Sequence, residues 1–424
     1  MKELLFRNAR VIDVARNIDA VGDIGVVDGV ISEVSHLKNP EVIDLSGKVL
    51  SPGFIDLHVH LRQPGNTDAE TIASGTRAAA AGGFTAIVAM PNTKPTADNP
   101  GAIELLRRTA ADQGAVRVFP CGCMTKGSEG KEMAGIGSLK SAGVIALSDD
   151  GRCIQDHALM RHVVEYARSF QLPILDHCEE TTLAAGGVMH EGKWSVLLGF
   201  NGMAGMAEEL IVARDIMLAR EIGWKIHIQH ISTKESIELV RIARRRGILV
   251  SAEATPHHLT LTDECIKKFD TNYKMNPPLR SEEDRQALIA AVADGTVTAI
   301  ATDHAPHTET AKEVEFDHAP FGIVGLETAF PLTCTELVAG GVITLPQLIA
   351  KFTTGPADIL GWHDYDLAPG RKADFTVFDP EAEYTIDKTK FLSKGRNTPF
   401  DGRRVKGRIE MTVVGGKIAY RREA

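Results

Sequence analysis

The chain has 424 residues, of which 43% are apolar and 24% charged, with a formal charge of −9; that length fits one large barrel or sandwich with additions, or two to three smaller domains, and excludes a peptide-sized module. The acidic balance argues against a nucleic-acid-binding surface, and six cysteines with no CxxC pair offer neither a disulfide framework nor a cysteine zinc site. Charge breaks the N-terminal stretch before it reaches signal-peptide length and no apolar run reaches the ~18 residues of a membrane span, so a cytoplasmic protein without a membrane partner is expected.

From Leu4 to about Lys48 apolar and polar residues alternate, and Asp28-Gly29 between GDIGVV and VISEV marks a hairpin. The C-terminal stretch repeats this character in ADFTVFDP, then RIEMTVV and KIAYR around Gly415-Gly416. Neither end alone is large enough to bury a good core, so residues 1–53 and 364–424 are predicted to join in one small β-sandwich domain. Between them, over 54–363, apolar strand-like runs alternate with helical stretches such as AIELLRRTAADQ. The runs are FIDLHVH, FTAIVAM, AVRVFP, GVIALS, PILDH, KIHIQH, ILVSAE and VTAIATD, which predicts an α/β fold with a (β/α)8 TIM-like barrel.

The active site of such a barrel lies at the C-terminal strand ends. The first strand ends His58-Val59-His60, the fourth runs into Asp149-Asp150, and the fifth, sixth and eighth end at His177, His230 and Asp303. The period of two along a strand puts His58 and His60 on one face, where a single ion takes both imidazoles. One rim histidine is most simply a hydrogen-bonded core side chain; six nitrogen and carboxylate groups converging on one rim point instead to metal, and they exceed what a single tetrahedral zinc requires. A bridging carboxylate would seat a second ion, and from spacing alone Asp149 serves nearly as well as Asp150.

PGFIDLHVHLRQPG, AMPNT, SDDG, MNPPLR and ATDHAPHT, with the strand-end His177 and His230, resemble the amidohydrolase superfamily, and in particular the bacterial class I dihydroorotases, over essentially the whole chain. The resemblance implies interconversion of N-carbamoyl-L-aspartate and dihydroorotate in pyrimidine synthesis, with one or two Zn²⁺ held by His58, His60, Asp150, His177, His230 and Asp303. Many superfamily members bridge their metals with a carboxylated lysine after strand four; here the nearest lysine, Lys140, lies upstream, and the match to one branch of the family favours Asp150 as the bridge.

In the hydrolytic direction a zinc-activated hydroxide is expected to attack the ring amide while Asp303 acts as general acid and base. Arg62, two residues past His60 and so expected on the same face, suits a bidentate contact with the substrate carboxylate. The resemblance adds His60, Asn92, Asn276 and His307, with backbone groups of Phe321 and Gly322, as substrate contacts; without it, Asn92 reads equally as a turn residue and Asn276 as a loop former.

The segment His304–Pro320 is expected to be a long loop of the kind that forms lids, with His304 and His318 as solvated histidines. His257 and His258 read as structural or as support for the ligands, Cys153 and Cys178 as packing, and RIARRRG at 241–247 as the solvated face of a helix. The rival readings are a hydantoinase or allantoinase, which would share the metal rim but not Arg62, and a non-catalytic scaffold for aspartate transcarbamoylase, against which the complete ligand set argues. A homodimer, and association of an active enzyme with aspartate transcarbamoylase, are both compatible with the resemblance.

Overall fold

The computed structural model describes residues 3–423. Five strands come first, β1 (Glu3–Asp13), β2 (Ile18–Val27), β3 (Val30–Ser32), β4 (Glu41–Asp44) and β5 (Val49–Pro52). In β1 the inward positions are Leu4 and Phe6, then Ala9 and Val11; a bulge at Arg7-Asn8 shifts the register and moves the buried set from even to odd residues. The expected hairpin turns form at Asp28-Gly29 (φ 46° and 83°) and Gly415-Gly416 (φ 55° and 72°), left-handed pairs that suit the right-handed twist of the flanking strands.

The barrel strands follow: β6 (Phe54–Val59), β7 (Phe84–Ala89), β8 (Arg117–Gly122), β9 (Ala146–Leu147) and β10 (Ile174–Asp176). A short pair, β11 (Met189–His190) and β12 (Gly202–Met203), stands outside the barrel, which resumes with β13 (Ile226–Ile228), β14 (Val250–Ala254) and β15 (Ala299–Ile300). All eight run parallel in chain order, and the last meets the first where His60 N–H donates to the His304 carbonyl at 2.9 Å and Thr302 Oγ1–H to Asp56 Oδ2 at 2.6 Å. Ile55, Leu57, Val88, Leu175 and Ala299 fill the inside of the barrel, while Phe54, Phe84 and Phe352 pack between strands and helices. Helix starts carry the acceptors that free N–H groups require: Thr71, Asn99, Asp156, Thr233 and Ser281 each accept from a backbone N–H of the first turn.

The chain ends with β16 (Phe375–Thr385), β17 (Arg404–Val414) and β18 (Lys417–Arg421). Antiparallel pairing of β16 with β5, Val377 opposite Leu50, joins both termini in one eight-stranded sheet, so the expected barrel and terminal β-domain are both present. Arg117 on β8 grips Asp374 at 2.7 and 3.0 Å, and Asp374 in turn accepts from Gly415 N–H, fastening that sheet to the barrel.

Candidate metal centre

His58 and His60 leave the end of β6 with ring centroids 5.2 Å apart. The Asp303 Oδ1 atom lies 3.1 Å from His60 Nε2 and 3.4 Å from His58 Nε2. Asp150 stands between two sets of imidazoles: its Oδ2 is 3.5 Å from His60 Nε2, while its Oδ1 is 3.3 Å from His58 Nε2 and 3.8 Å from both His177 Nδ1 and His230 Nε2. All six side chains are buried. Ligand atoms of His58, His60 and Asp303, and of His58, Asp150 and His230, lie within 4.8 Å of one another.

Asp149 points elsewhere. Its carboxylate accepts from the backbone N–H groups of Met124 and Thr125 and from the Thr125 hydroxyl, and burial pushes it up to about 6. Of the adjacent pair, Asp150 alone faces the histidines.

Electrostatics in the cluster suit a cation. Burial would raise Asp150 and Asp303, yet the imidazoles of His58 and His60 hold both well below the usual carboxylate range. Burial would lower His58, and the same two carboxylates outweigh it and raise His58 well above its ordinary value. His58 Nε2, His177 Nε2 and His230 Nδ1 are buried without a hydrogen-bond partner, and His177 Nδ1 and His230 Nε2 face each other at 3.0 Å. Of these, His58 Nε2 lies between Asp150 and Asp303, and the facing pair His177 Nδ1 and His230 Nε2 turns to Asp150 at 3.8 Å; imidazole nitrogens crowded against two ionised carboxylates are a donor set that a divalent ion satisfies, so the residues fit the implied metal.

Backbone conformation adds a second indication. Arg62, His230 and Asp303 have φ of 58°, 31° and 47°, left-handed values that cost a residue with a β-carbon about 1–3 kcal/mol and that gather at functional sites.

The substrate residues named from the resemblance surround the cluster. Asn92 takes hold of two proposed ligands, His60 Nδ1 facing its Oδ1 at 2.9 Å and its Nδ2 donating to Asp150 at 3.1 Å. Asn276 Nδ2 donates to Glu179, whose carboxylate lies 3.6 Å from His177 Nε2. Strand alternation stops at Val59, so Arg62 reaches the site through a left-handed turn rather than on the face of His58 and His60. Its Nε donates to Pro306 O, one residue before His307, and burial with the Arg62 charge drives His307 down to about 3. His307 Nε2 lies 2.8 Å from Phe321 O, and Gly322 N–H donates to Lys274 O at 2.9 Å.

His304 is not solvated. It is 1% exposed, with Nε2 3.2 Å from Glu70 Oε2 and Nδ1 accepting from Gly325 N–H, because the chain must close the barrel where His304 sits. The following loop is pinned by Lys312 Nζ donating to Pro320 O and by Asn397 from the C-terminal segment, which accepts from His307 N–H and donates to Ala305 O and Gly322 O. His318 is exposed as expected. His258 is structural, its Nε2 facing Pro277 O and its Nδ1 facing Thr255 Oγ1. Asp176, Cys178 and Asp215 also cluster, but the Arg214 guanidinium occupies that position at 2.9 Å from Asp176 and 2.8 Å from Asp215.

Sequence reasoning passed over Glu253 on β14. One carboxylate oxygen is 3.4 Å from His58 Nδ1 and the other 3.0 Å from His227 Nε2. Its signal is the one charged residue in the strand Val250–Ala254, two positions from Ser251 and so on the same face.

A family model described as dihydro-orotase-like matches residues 47–236, and one described as the amidohydrolase family matches 285–420. The chain is 49% identical to a dihydroorotase of Pelotomaculum thermopropionicum, covering 98% of each, and 48% identical to one of Solibacter usitatus, covering 99% of each. Among solved structures it resembles an L-hydantoinase from Arthrobacter aurescens, with a TM-score of 0.89 at 24% identity over 99% of this chain and 96% of that one. At that identity the likeness speaks for the fold.

Proposed function

The chain belongs to the dihydroorotase family and is a cyclic amide hydrolase interconverting N-carbamoyl-L-aspartate and dihydroorotate, and we propose that the reaction runs at the buried cluster on the barrel rim. The convergence of four imidazoles and two carboxylates there carries this reading. His58, His60 and Asp303 would hold one zinc ion and His177 and His230 a second, with an Asp150 oxygen turned toward each group. When bound, the ions supply an activated water and polarise the amide carbonyl.

Asp303 is the proton carrier. Its ionised carboxylate at the rim takes the proton of the attacking water and delivers it to the ring nitrogen as the C–N bond breaks; cyclisation runs the same transfers in reverse. Ring closure consumes one carboxylate and one proton, so acid favours the ring and alkali the open chain. Arg62 binds the substrate carboxylate, with Asn92, Asn276, His307 and backbone groups of Phe321 and Gly322 shaping the pocket around it. Asn92 has a further role in orienting His60 and Asp150.

Cytoplasmic placement, supported by six free cysteines, a homodimer, and association with aspartate transcarbamoylase belong to the same proposal. The test is turnover of dihydroorotate, hydantoin and allantoin by zinc-loaded protein, with metal content measured on the same sample. Turnover of dihydroorotate alone, with zinc bound, is expected. Preference for hydantoin or allantoin would reassign the substrate, and a protein that holds no zinc and stays inactive after zinc addition would be a scaffold.

A further inference from the structure

At the opposite end of the barrel, where β10, β13, β14 and β15 begin, lies an open cavity of about 490 Å³. Three cations line it, Lys225, Arg244 and Lys351, against the single carboxylate of Asp358. None has a side-chain counter-ion within ion-pair distance among the described residues. Lys225 Nζ donates to the backbone carbonyl of Asp358 at 3.4 Å, Lys351 Nζ to that of Val297 at 2.6 Å, and the Arg244 guanidinium makes no hydrogen bond or ion pair among the described residues. Asp294, whose charge reaches Arg244, is itself bonded to Arg241 at 2.9 Å. In a protein of net charge −9, three unpaired cations around one hollow form a local anion trap. The walls also carry Ile248, Leu249 and Ile359, so the hollow suits an apolar body attached to the anion.

The floor of the cavity includes His227 and Ser251, and from there a hydrogen-bonded chain crosses the barrel interior. Ser251 Oγ lies 2.8 Å from His227 Nδ1, His227 Nε2 lies 3.0 Å from Glu253 Oε2, and Glu253 Oε1 lies 3.4 Å from His58 Nδ1, beside the Gln229 amide at 3.1 Å. For His58 Nε2 to face an ion, its Nδ1 must carry the proton and donate, and Glu253 is the carboxylate placed to accept it. Glu253 has a second donor in His227, whose Nδ1 then accepts from the Ser251 hydroxyl. With the Gln229 amide donating to Met90 Sδ at 3.5 Å rather than to His58, one set of tautomers runs from the cavity floor to the rim.

We propose that the basal cavity binds a small organic phosphate, and that an occupant touching Ser251 or His227 alters the hold of His58 on its metal through Glu253. The binding site stands independently of the reading of the rim; the link to His58 rests on that reading.

Calorimetric titration of zinc-loaded protein with adenosine 5′-monophosphate and with inorganic phosphate tests the site. The nucleotide should bind one per chain and more tightly than phosphate, Arg244→Gln and Lys351→Met should each weaken it at least tenfold, and Arg62→Met should leave it unchanged. Thermal unfolding of each variant establishes that it is folded. No binding, or binding lost in Arg62→Met and kept in Arg244→Gln, overturns the site; equal affinity for both probes overturns the apolar body. Zinc release to a chelator tests the link: its rate should change at least twofold with nucleotide in the wild type and stay constant in His227→Gln. An unchanged wild-type rate where the nucleotide binds overturns the link and leaves both the site and the rim assignment standing.

Discussion

The two mouths of this barrel are charged in opposite senses and solve burial in opposite ways. At the C-terminal mouth two carboxylates sit among four imidazoles, each acid within 3.5 Å of a ring nitrogen, and the interior gathers negative charge that a cation would complete. At the N-terminal mouth three cations lean on backbone carbonyls or on nothing, and the missing partner is an anion. The strands explain the separation. Residues pointing into a barrel are stacked in layers, so groups two apart on one strand, such as Ser251 and Glu253 on β14, belong to successive layers and span the space between the mouths. A polar column through a core is tolerated when its members partner one another, as Ser251, His227, Glu253 and His58 Nδ1 do here, with His58 Nε2 left to face the rim carboxylates.

The largest effect is expected from Asp303→Ala, which should lower kcat by about 10²–10⁴ with zinc still bound, since proton transfer is worth that much; near-normal turnover in a steady-state assay would remove Asp303 from the proton-carrying role. Glu253→Gln, in the middle of the column, should weaken zinc binding by about 10–100-fold in a competition assay, because a supporting carboxylate fixes the tautomer of its histidine. The same variant has a pH signature. Burial would raise Glu253, but donors from His227 and His58 hold it at about 2, below its ordinary 4.5. A depressed folded value means stability that is complete above about pH 4.5 and is lost as pH falls toward 2. Metal-free Glu253→Gln should therefore lose less of its unfolding midpoint across that window than the parent.

Arg62→Met should raise KM for N-carbamoyl-L-aspartate by about 10-fold or more with a smaller effect on kcat, the loss of one charge-assisted contact. Unchanged KM would show that the turn carrying Arg62 serves the fold alone. The smallest effect belongs to Arg244→Gln, whose kcat without added phosphate should stay within about twofold of the parent, because Arg244 lies at the far mouth. A large loss there would mean that the two ends are not separable.

What could be read in advance follows from how local each signal was. The eight barrel strands and both glycine turns were legible because apolar runs and Gly-Gly or Asp-Gly pairs act over a few residues. His58 and His60 were legible for the same reason. The choice between Asp149 and Asp150 was open because it depends on Thr125 and Met124, some 25 residues earlier, which claim Asp149. Arg62 was placed by a strand rule that had already lapsed at Val59, and His304 was read as solvated because nothing nearby in sequence announces Glu70, 234 positions away. Family resemblance supplied Asn92 and Asn276 but not the ties that Asn92 makes to His60 and Asp150.

The bond from His307 to Asn397 spans 90 residues of chain and puts the assembly of the site on a clock. At about 5–20 residues per second, ribosomal synthesis delivers His307 some 5–18 s before Asn397. For the first part of that interval β5 also lacks its neighbour β16. The barrel can gather its eight strands while the chain is still being made, but the loop that carries His307 takes its final bonds only near the end of translation, so a chain stopped short of Asn397 would own every proposed metal ligand and still lack a finished mouth.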